Sequence, residues 1–313
     1  MAQVEQKIMS RLKVNRLPSL PHVLVDLLGA CQGNHASFQN ISAIISRDAA
    51  IAARVITLAH SSFYNHGTQI STLERALLVL GTNTIKTIVI TASVQQFFSG
   101  FNTEHTNFLK QFWQRSLSCA LMAKSLAILT SYPHPDEAYL TGLLHNIGEL
   151  VLETNYSDQF VQLIREQSSE FERVEKEKEL FSIDHANVGA WLAKEWGLSN
   201  FAIDAIEFHH APADSIKDAH HLVKLIYLAS HLSYDDEQDF FNNVNNNPPN
   251  TNIAQILFEL NPSLINEIII KINSEVIEVA ASLGIDINTQ AQTNADQDKQ
   301  VSLAKSVRNI GLL

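Results

Sequence analysis

Apolar residues recur at helical spacing along almost the whole chain. Leu20, Val23, Leu24, Leu27 and Leu28 form one such stripe near the start, and strand-like alternation bounded by turns is scarce. This period is compatible with one fold class, an all-α protein. The boundaries are marked by residue chemistry. Ser37 and Asp48 stand where they can cap the helices "SFQNISAIIS" and "DAAIAARVITLAHSSFY", and Ser71 with Glu74 has capping-box spacing ahead of "LERALLVLG". Gly81 is placed to stop that helix and Thr82 to open the next. "SYPHPDE" ends a long helix around "FLKQFWQRSLSCALMAKSLAILT", because proline cannot continue the backbone hydrogen-bond ladder. Gly197 closes "SIDHANVGAWLAKEWG", and Pro212 follows "SNFAIDAIEFHHA". The Asn-rich stretch "DDEQDFFNNVNNNPPN" reads as a loop, residues 253–283 as helix, and residues 288–299 as a polar tail.

A chain of 313 residues, 45% of them hydrophobic, has the material for a substantial core. A net charge of −11 without a Lys/Arg-rich run argues against nucleic acid or an anionic membrane as the main partner, since both reward clustered positive charge. Cys31 and Cys119 sit in apolar helical patterns and form no CxxC pair, and no signal-peptide pattern opens the sequence, so a reducing cytoplasm is the expected compartment. Polar residues interrupt every apolar run well short of the ~20 residues a membrane-spanning helix needs. Trp113, Trp191 and Trp196 lie among apolar neighbours and read as core. "SSEFERVEKEKELF" is densely charged and reads as a solvated helix face. Tyr64 and Asn65, in a turn, are positions open to a partner.

The chemistry-bearing stretch is "GLLHNIGEL", residues 142–150. It places His145 beside Asn146 on a predicted buried helix, where a hydrolase holding divalent cations would want His beside Asp. His145, His185 and the pair His209 and His210 fall on different predicted helices, the way helical bundles assemble interior metal sites. Taken singly, each histidine is an ordinary hydrogen-bonded residue.

The ordered blocks "LPSLP", "IISRDAAIAARVITLAHSSFY", "ISTLERALLVLG", "FWQRSLSCALMAKSLA", "EAYLTGLLHNIGELVL", "IDHANVGAWLAKEWGL" and "AIEFHHAP" resemble the HDOD domain, a bacterial signalling relative of the HD and HD-GYP metal-dependent phosphohydrolases. The resemblance runs from about Arg16 to Pro212 and implies an HD-like helical bundle with an N-terminal helical lobe. The organisation it suggests is an HDOD domain over residues 13–212, with lobes 13–107 and 108–212, a helical extension over 213–287 and a polar tail over 288–313.

In active relatives the metal is held by a preceding His, the His-Asp doublet, later histidines and a final Asp. Here those positions fall on Arg115, His145 with Asn146, His185 with His209 or His210, and Ser230. Asn supplies a neutral carbonyl and an NH₂ that repels cations, and an inward guanidinium would repel them further. The resemblance therefore implies a regulatory protein acting through protein–protein contacts, with a degenerate metal site and no cofactor. Two alternatives stand beside it. One is a phosphohydrolase with a reduced site of His145, His185, His209 and His210, holding Fe, Zn, Ni or Mn. The other is a sensor binding a nucleotide or other anion in the inter-lobe cleft through Arg115, Asn146 and Ser230. A further possibility for Arg115 is an ion pair with Glu149.

Overall fold

The computed structural model describes residues 12, 22–32, 38–59, 70, 72–98, 105–166, 170–233 and 251–287. The described residues form helices and connections and contain no strand. The expected contacts of Tyr64 and Asn65, the cap at Ser37, the acidic loop and the polar tail lie outside them.

The first five helices are α1 (His22–Gln32), α2 (Phe38–Ile45), α3 (Ala49–Ala59), α4 (Leu73–Leu80) and α5 (Thr82–Phe98). Asp48 caps α3 as expected, its Oδ1 accepting from the backbone N–H groups of Ala50 and Ile51. The cap of α4 is Thr72, which accepts from the N–H of Arg75; the expected Ser71 is outside the described residues. Gly81 stops α4 in a positive-φ conformation, at 75°, that side chains with a Cβ rarely adopt. Helix α5 is apolar on most of its circumference, with Ile85, Ile88, Val89, Ile90 and Val94 all buried, so it must run inside the protein.

The second group is α6 (Thr106–Leu129), α7 (Pro135–Leu144), α8 (Ile147–Arg165), α9 (Glu170–Phe181), α10 (His185–Glu195) and α11 (Asn200–Glu207). Helix α6 ends at the proline-bearing connection, and α7 starts on Pro135, with Asp136 and Glu137 in its first turn facing the positive end of the helix dipole. The predicted single helix through "GLLHNIGEL" is broken: α7 ends at Leu144, and His145 and Asn146 form the turn before α8. Asp184 caps α10 and Ser199 caps α11 through side-chain acceptors. The short α12 (Ala213–Ile216) leads to α13 (His221–Ser233), α14 (Thr251–Phe258) and α15 (Pro262–Leu283).

Helix α6 is the axis of the body, with α7, α13 and α15 packed against it. The first five helices join this body through α5 and α7. Thr91 and Tyr139 share a buried hydrogen bond of 2.6 Å, and Asp136 receives Lys86 at 3.0 Å and Lys124 at 2.9 Å. The helices after Pro212 also return to the body: Gln95 donates to the Leu283 carbonyl at 3.3 Å, and Lys110 pairs with Asp286 at 2.8 Å. Trp113 is buried, while Trp191 and Trp196 are partly buried against the same core. Among the described residues no single helix is long and apolar enough to cross a membrane.

Candidate functional site

Helices α6, α8, α9, α10 and the turn after α11 deliver charged and imidazole side chains to one buried cluster. The approach of α8 to α10 is set by Gly148: a Cβ there would stand 1.9 Å from the carbonyl oxygen of His185. Only glycine lets the two helix starts come this close. His145, Asn146, Glu149, Glu177, His185 and His209 have no more than 0% exposure, and Arg173 has 7%. Polar groups so placed must find partners within the protein.

His145 donates from Nδ1 to the Gly142 carbonyl at 2.7 Å, and His209 donates from Nδ1 to the Ile206 carbonyl at 2.6 Å. His185 donates from both its backbone N–H, at 2.8 Å, and its Nδ1, at 2.7 Å, to Oε2 of Glu177. Because a carbonyl or carboxylate oxygen only accepts, these contacts place a proton on Nδ1 of each ring and turn Nε2 toward the cluster. His185 Nε2 meets His210 Nε2 at 3.0 Å, and the rings of His145 and His209 lie edge to face with centroids 5.1 Å apart. The structure thus brings together the predicted histidines. His209 and His210 follow α11 in a turn instead of lying within that helix, because the helix ends at Glu207.

Asn146 approaches Nε2 of His209 through its side-chain amide, at 3.2 Å to the position of Oδ1. Burial holds His209 well below the usual histidine range, with His145 and His185 acting in the same direction, so the ring is neutral. Its Nε2 is then an acceptor. The amide orientation that satisfies both groups presents Nδ2–H to the ring, amide orientation being assigned from the hydrogen-bond network. An aspartate could not make that donation. Burial likewise pushes His145 down to about 3 and His210 well below the ordinary value.

The acidic groups are held by protein cations. Glu149 accepts a hydrogen bond from Arg115 Nη2 on Oε2 at 2.6 Å, and Arg173 Nη2 forms an ion pair with its Oε1 at 3.0 Å. Burial acts to raise its pKa, but Arg115 and Arg173 together reverse this and hold it at about 2. Arg173 Nε also lies 3.9 Å from Oε1 of Glu177. Burial opposes the charged form of His185, yet Glu177 outweighs it and raises that histidine above its ordinary value. Arg115 therefore forms the ion pair with Glu149 that its position allowed.

Ser230, expected to border the site, is buried on α13 with its hydroxyl donating to the Tyr227 carbonyl at 2.9 Å. His231 on the same helix donates to that carbonyl at 2.8 Å. His220 and His221 instead surround Tyr132, at centroid distances of 6.2 and 5.3 Å. The charged stretch read as a solvated face is corrected at two positions: Arg173 and Glu177 are buried, alongside Val174 and Phe181. Their signal in the sequence is the i, i+4, i+8 spacing of Arg173, Glu177 and Phe181, which sets all three on one helical face.

The residues present do not fit a pair of hard cations such as Mg²⁺ or Mn²⁺, which need oxygen ligands. Glu149 is bound between guanidiniums, and Glu177 is on the outer nitrogen of His185. They do fit one borderline ion. The ligating atoms of His185, His209 and His210 lie within 4.8 Å of one another, and an outer carboxylate on a ligand histidine is a common supporting arrangement.

The HDOD domain family matches residues 17–212. An HDOD domain protein from Geobacter sulfurreducens has a solved structure similar to this one, with TM-score 0.69 and 22% identity, covering 90% of this chain and 96% of that one. A candidate phosphohydrolase from Shewanella amazonensis SB2B gives 0.67 and 24%, covering 87% and 96%. A candidate signal transduction protein from Marinobacter aquaeolei VT8 gives 0.64 and 23%, covering 86% of this chain and 59% of its own. A curated relative, an uncharacterized protein from Treponema pallidum, is 25% identical over 204 residues, 63% of this chain; the chain spans 38% of that relative's length. At these identities the structural likenesses speak to fold. With a family match that spans more than half of its residues and a helical body of the same architecture, the chain belongs to the HDOD domain family.

Proposed function

We propose that the chain is a cytoplasmic bacterial signalling protein that regulates other proteins by binding them and performs no hydrolysis at its histidine cluster. The observation that carries this reading is the continuous chain of contacts Arg115–Glu149–Arg173–Glu177–His185. Two carboxylates are matched there by two guanidiniums, so the charges are balanced without an added cation. Asn146, in the doublet position, favours the metal-free arrangement because its amide NH₂ can satisfy His209, whereas a carboxylate cannot. The anion-sensing reading is less favoured for the same reason: Glu149 already takes up Arg115, and a nucleotide phosphate would have to displace it.

A second reading rests on His185, His209 and His210, since three imidazoles are also the ligand set of some catalytic zinc sites. An ion there would supply a Lewis acid and an activated water. Glu177 would then hold the ring of His185 in the ligating tautomer. Hydrolysis of bis(p-nitrophenyl) phosphate, assayed with Fe²⁺, Mn²⁺ or Zn²⁺, separates the two. We expect no turnover above that of the His185→Ala protein; turnover that His185→Ala abolishes would overturn the regulatory reading.

A further inference from the structure

We infer that Arg173 is an electrostatic gate on the histidine cluster, and that its charge sets whether His185, His209 and His210 accept a borderline divalent ion. The inference rests on the reading that the native chain holds no resident metal. Arg173 is delivered by α9, and its guanidinium bridges two carboxylates, reaching Glu149 at 3.0 Å and Glu177 at 3.9 Å. Glu177 in turn holds Nδ1 of His185 at 2.7 Å, and His185 Nε2 meets His210 at 3.0 Å. The arginine is thus one carboxylate away from the ligating nitrogens. It cancels the negative charge that would otherwise draw a cation to the three imidazoles. A guanidinium stays protonated at any accessible pH, so the cancellation is permanent while α9 remains docked.

Loss of the charge leaves each carboxylate with a partner, Glu149 with Arg115 and Glu177 with His185, so Arg173→Gln is a variant expected to fold. One unit of charge acting on a divalent ion from about 12 Å corresponds to an affinity change on the order of a hundredfold at an effective dielectric near 20.

The probe is Co²⁺, titrated into the full chain and followed by its visible absorption, with thermal unfolding as the check on folding. Arg173→Gln is expected to bind Co²⁺ about a hundredfold more tightly than the native protein. Arg173→Lys, which keeps the charge, should stay near the native affinity, and adding His209→Ala to Arg173→Gln should remove the gain. A native-like affinity in Arg173→Gln, or a gain that survives His209→Ala, overturns the gate.

Should Arg173→Gln unfold, the native protein is titrated with Zn²⁺ and followed by NMR. The Arg173 Nε–H resonance should move in step with the ring resonances of His185 and His209. Saturation of the rings with Arg173 unmoved overturns the gate. Failure of the gate is distinct from failure of the functional reading. Metal-free native protein with an unresponsive Arg173→Gln removes only the gate, whereas a native protein already tightly loaded with metal removes the regulatory reading and with it the premise of the gate.

Discussion

Arg115 Nη2 on α6 lies 2.6 Å from Oε2 of Glu149 on α8, and the carboxylate it holds is fully buried. Arg173 completes the clamp from α9, so one acidic side chain ties three helices together. Removing one partner of a buried pair strands the other charge, a loss of about 3–5 kcal/mol. Glu149→Gln is expected to fall in that range by chemical denaturation, with a larger effect than Arg115→Ala, because the glutamate serves two cations and the arginine end is partly exposed.

Gly148 makes a packing prediction. The methyl of Gly148→Ala would overlap the main chain of His185, which cannot rotate aside as a side chain could. Overpacking costs typically 1–3 kcal/mol and more when backbone must move. We expect Gly148→Ala to lose about 3 kcal/mol of stability and to shift the ring resonances of His185 and His210, while Gly197→Ala, where a Cβ meets open space and the cost is only the strain of a φ of 70°, leaves those resonances unchanged.

Asp136 gives the acid limb of the stability curve a predicted shape. Burial acts to raise its pKa, but Lys124 and Lys86 pull it below the ordinary 3.8. A carboxylate depressed in the folded state adds stability that is fully present above its unfolded value and is lost as pH falls through the folded one. The contribution should therefore be whole above about pH 5 and vanish progressively below pH 4. Asp136→Asn is expected to be less stable at neutral pH and to show a flatter decline on acidification, measured by urea unfolding across that range.

Asn146→Asp tests the doublet. The aspartate cannot donate to Nε2 of His209, and it adds a negative charge beside the cluster. The variant should be less stable than the native chain in chelator. It should gain several degrees in its unfolding midpoint with excess Zn²⁺, since a ligand at 100 times its dissociation constant adds about 2.7 kcal/mol. A midpoint indifferent to Zn²⁺ would count against the role given to Asn146.

The helical frame was legible because its signals are local. Asp48, Gly81 and Gly197 act within one turn of chain, and the apolar period carries the rest. Ser71 and Thr72 are adjacent hydroxyls that composition does not distinguish, and the described cap is Thr72. The break at His145 was hidden because "HNIG" has no proline, and the turn is fixed by the approach of α8 to His185, a tertiary effect. The convergence of His145, His185, His209 and His210 came from ordered blocks spread along the chain, and no single spacing contained it. Arg173 and Glu177 were missed because eight of the twelve residues of their helix are charged, so its narrow inward face, Val174 and Phe181, is easily read as solvated. A charged i, i+4 pair aligned with a bulky apolar residue is the pattern that would have marked them.

The most direct test of the account is the metal content of the full chain purified without chelator, determined by mass spectrometry before and after anaerobic incubation with Fe²⁺, Mn²⁺ and Zn²⁺, beside His185→Ala. The charge-balanced network predicts metal far below one equivalent in both proteins. Near-stoichiometric metal in the native chain, lost in His185→Ala, would contradict it.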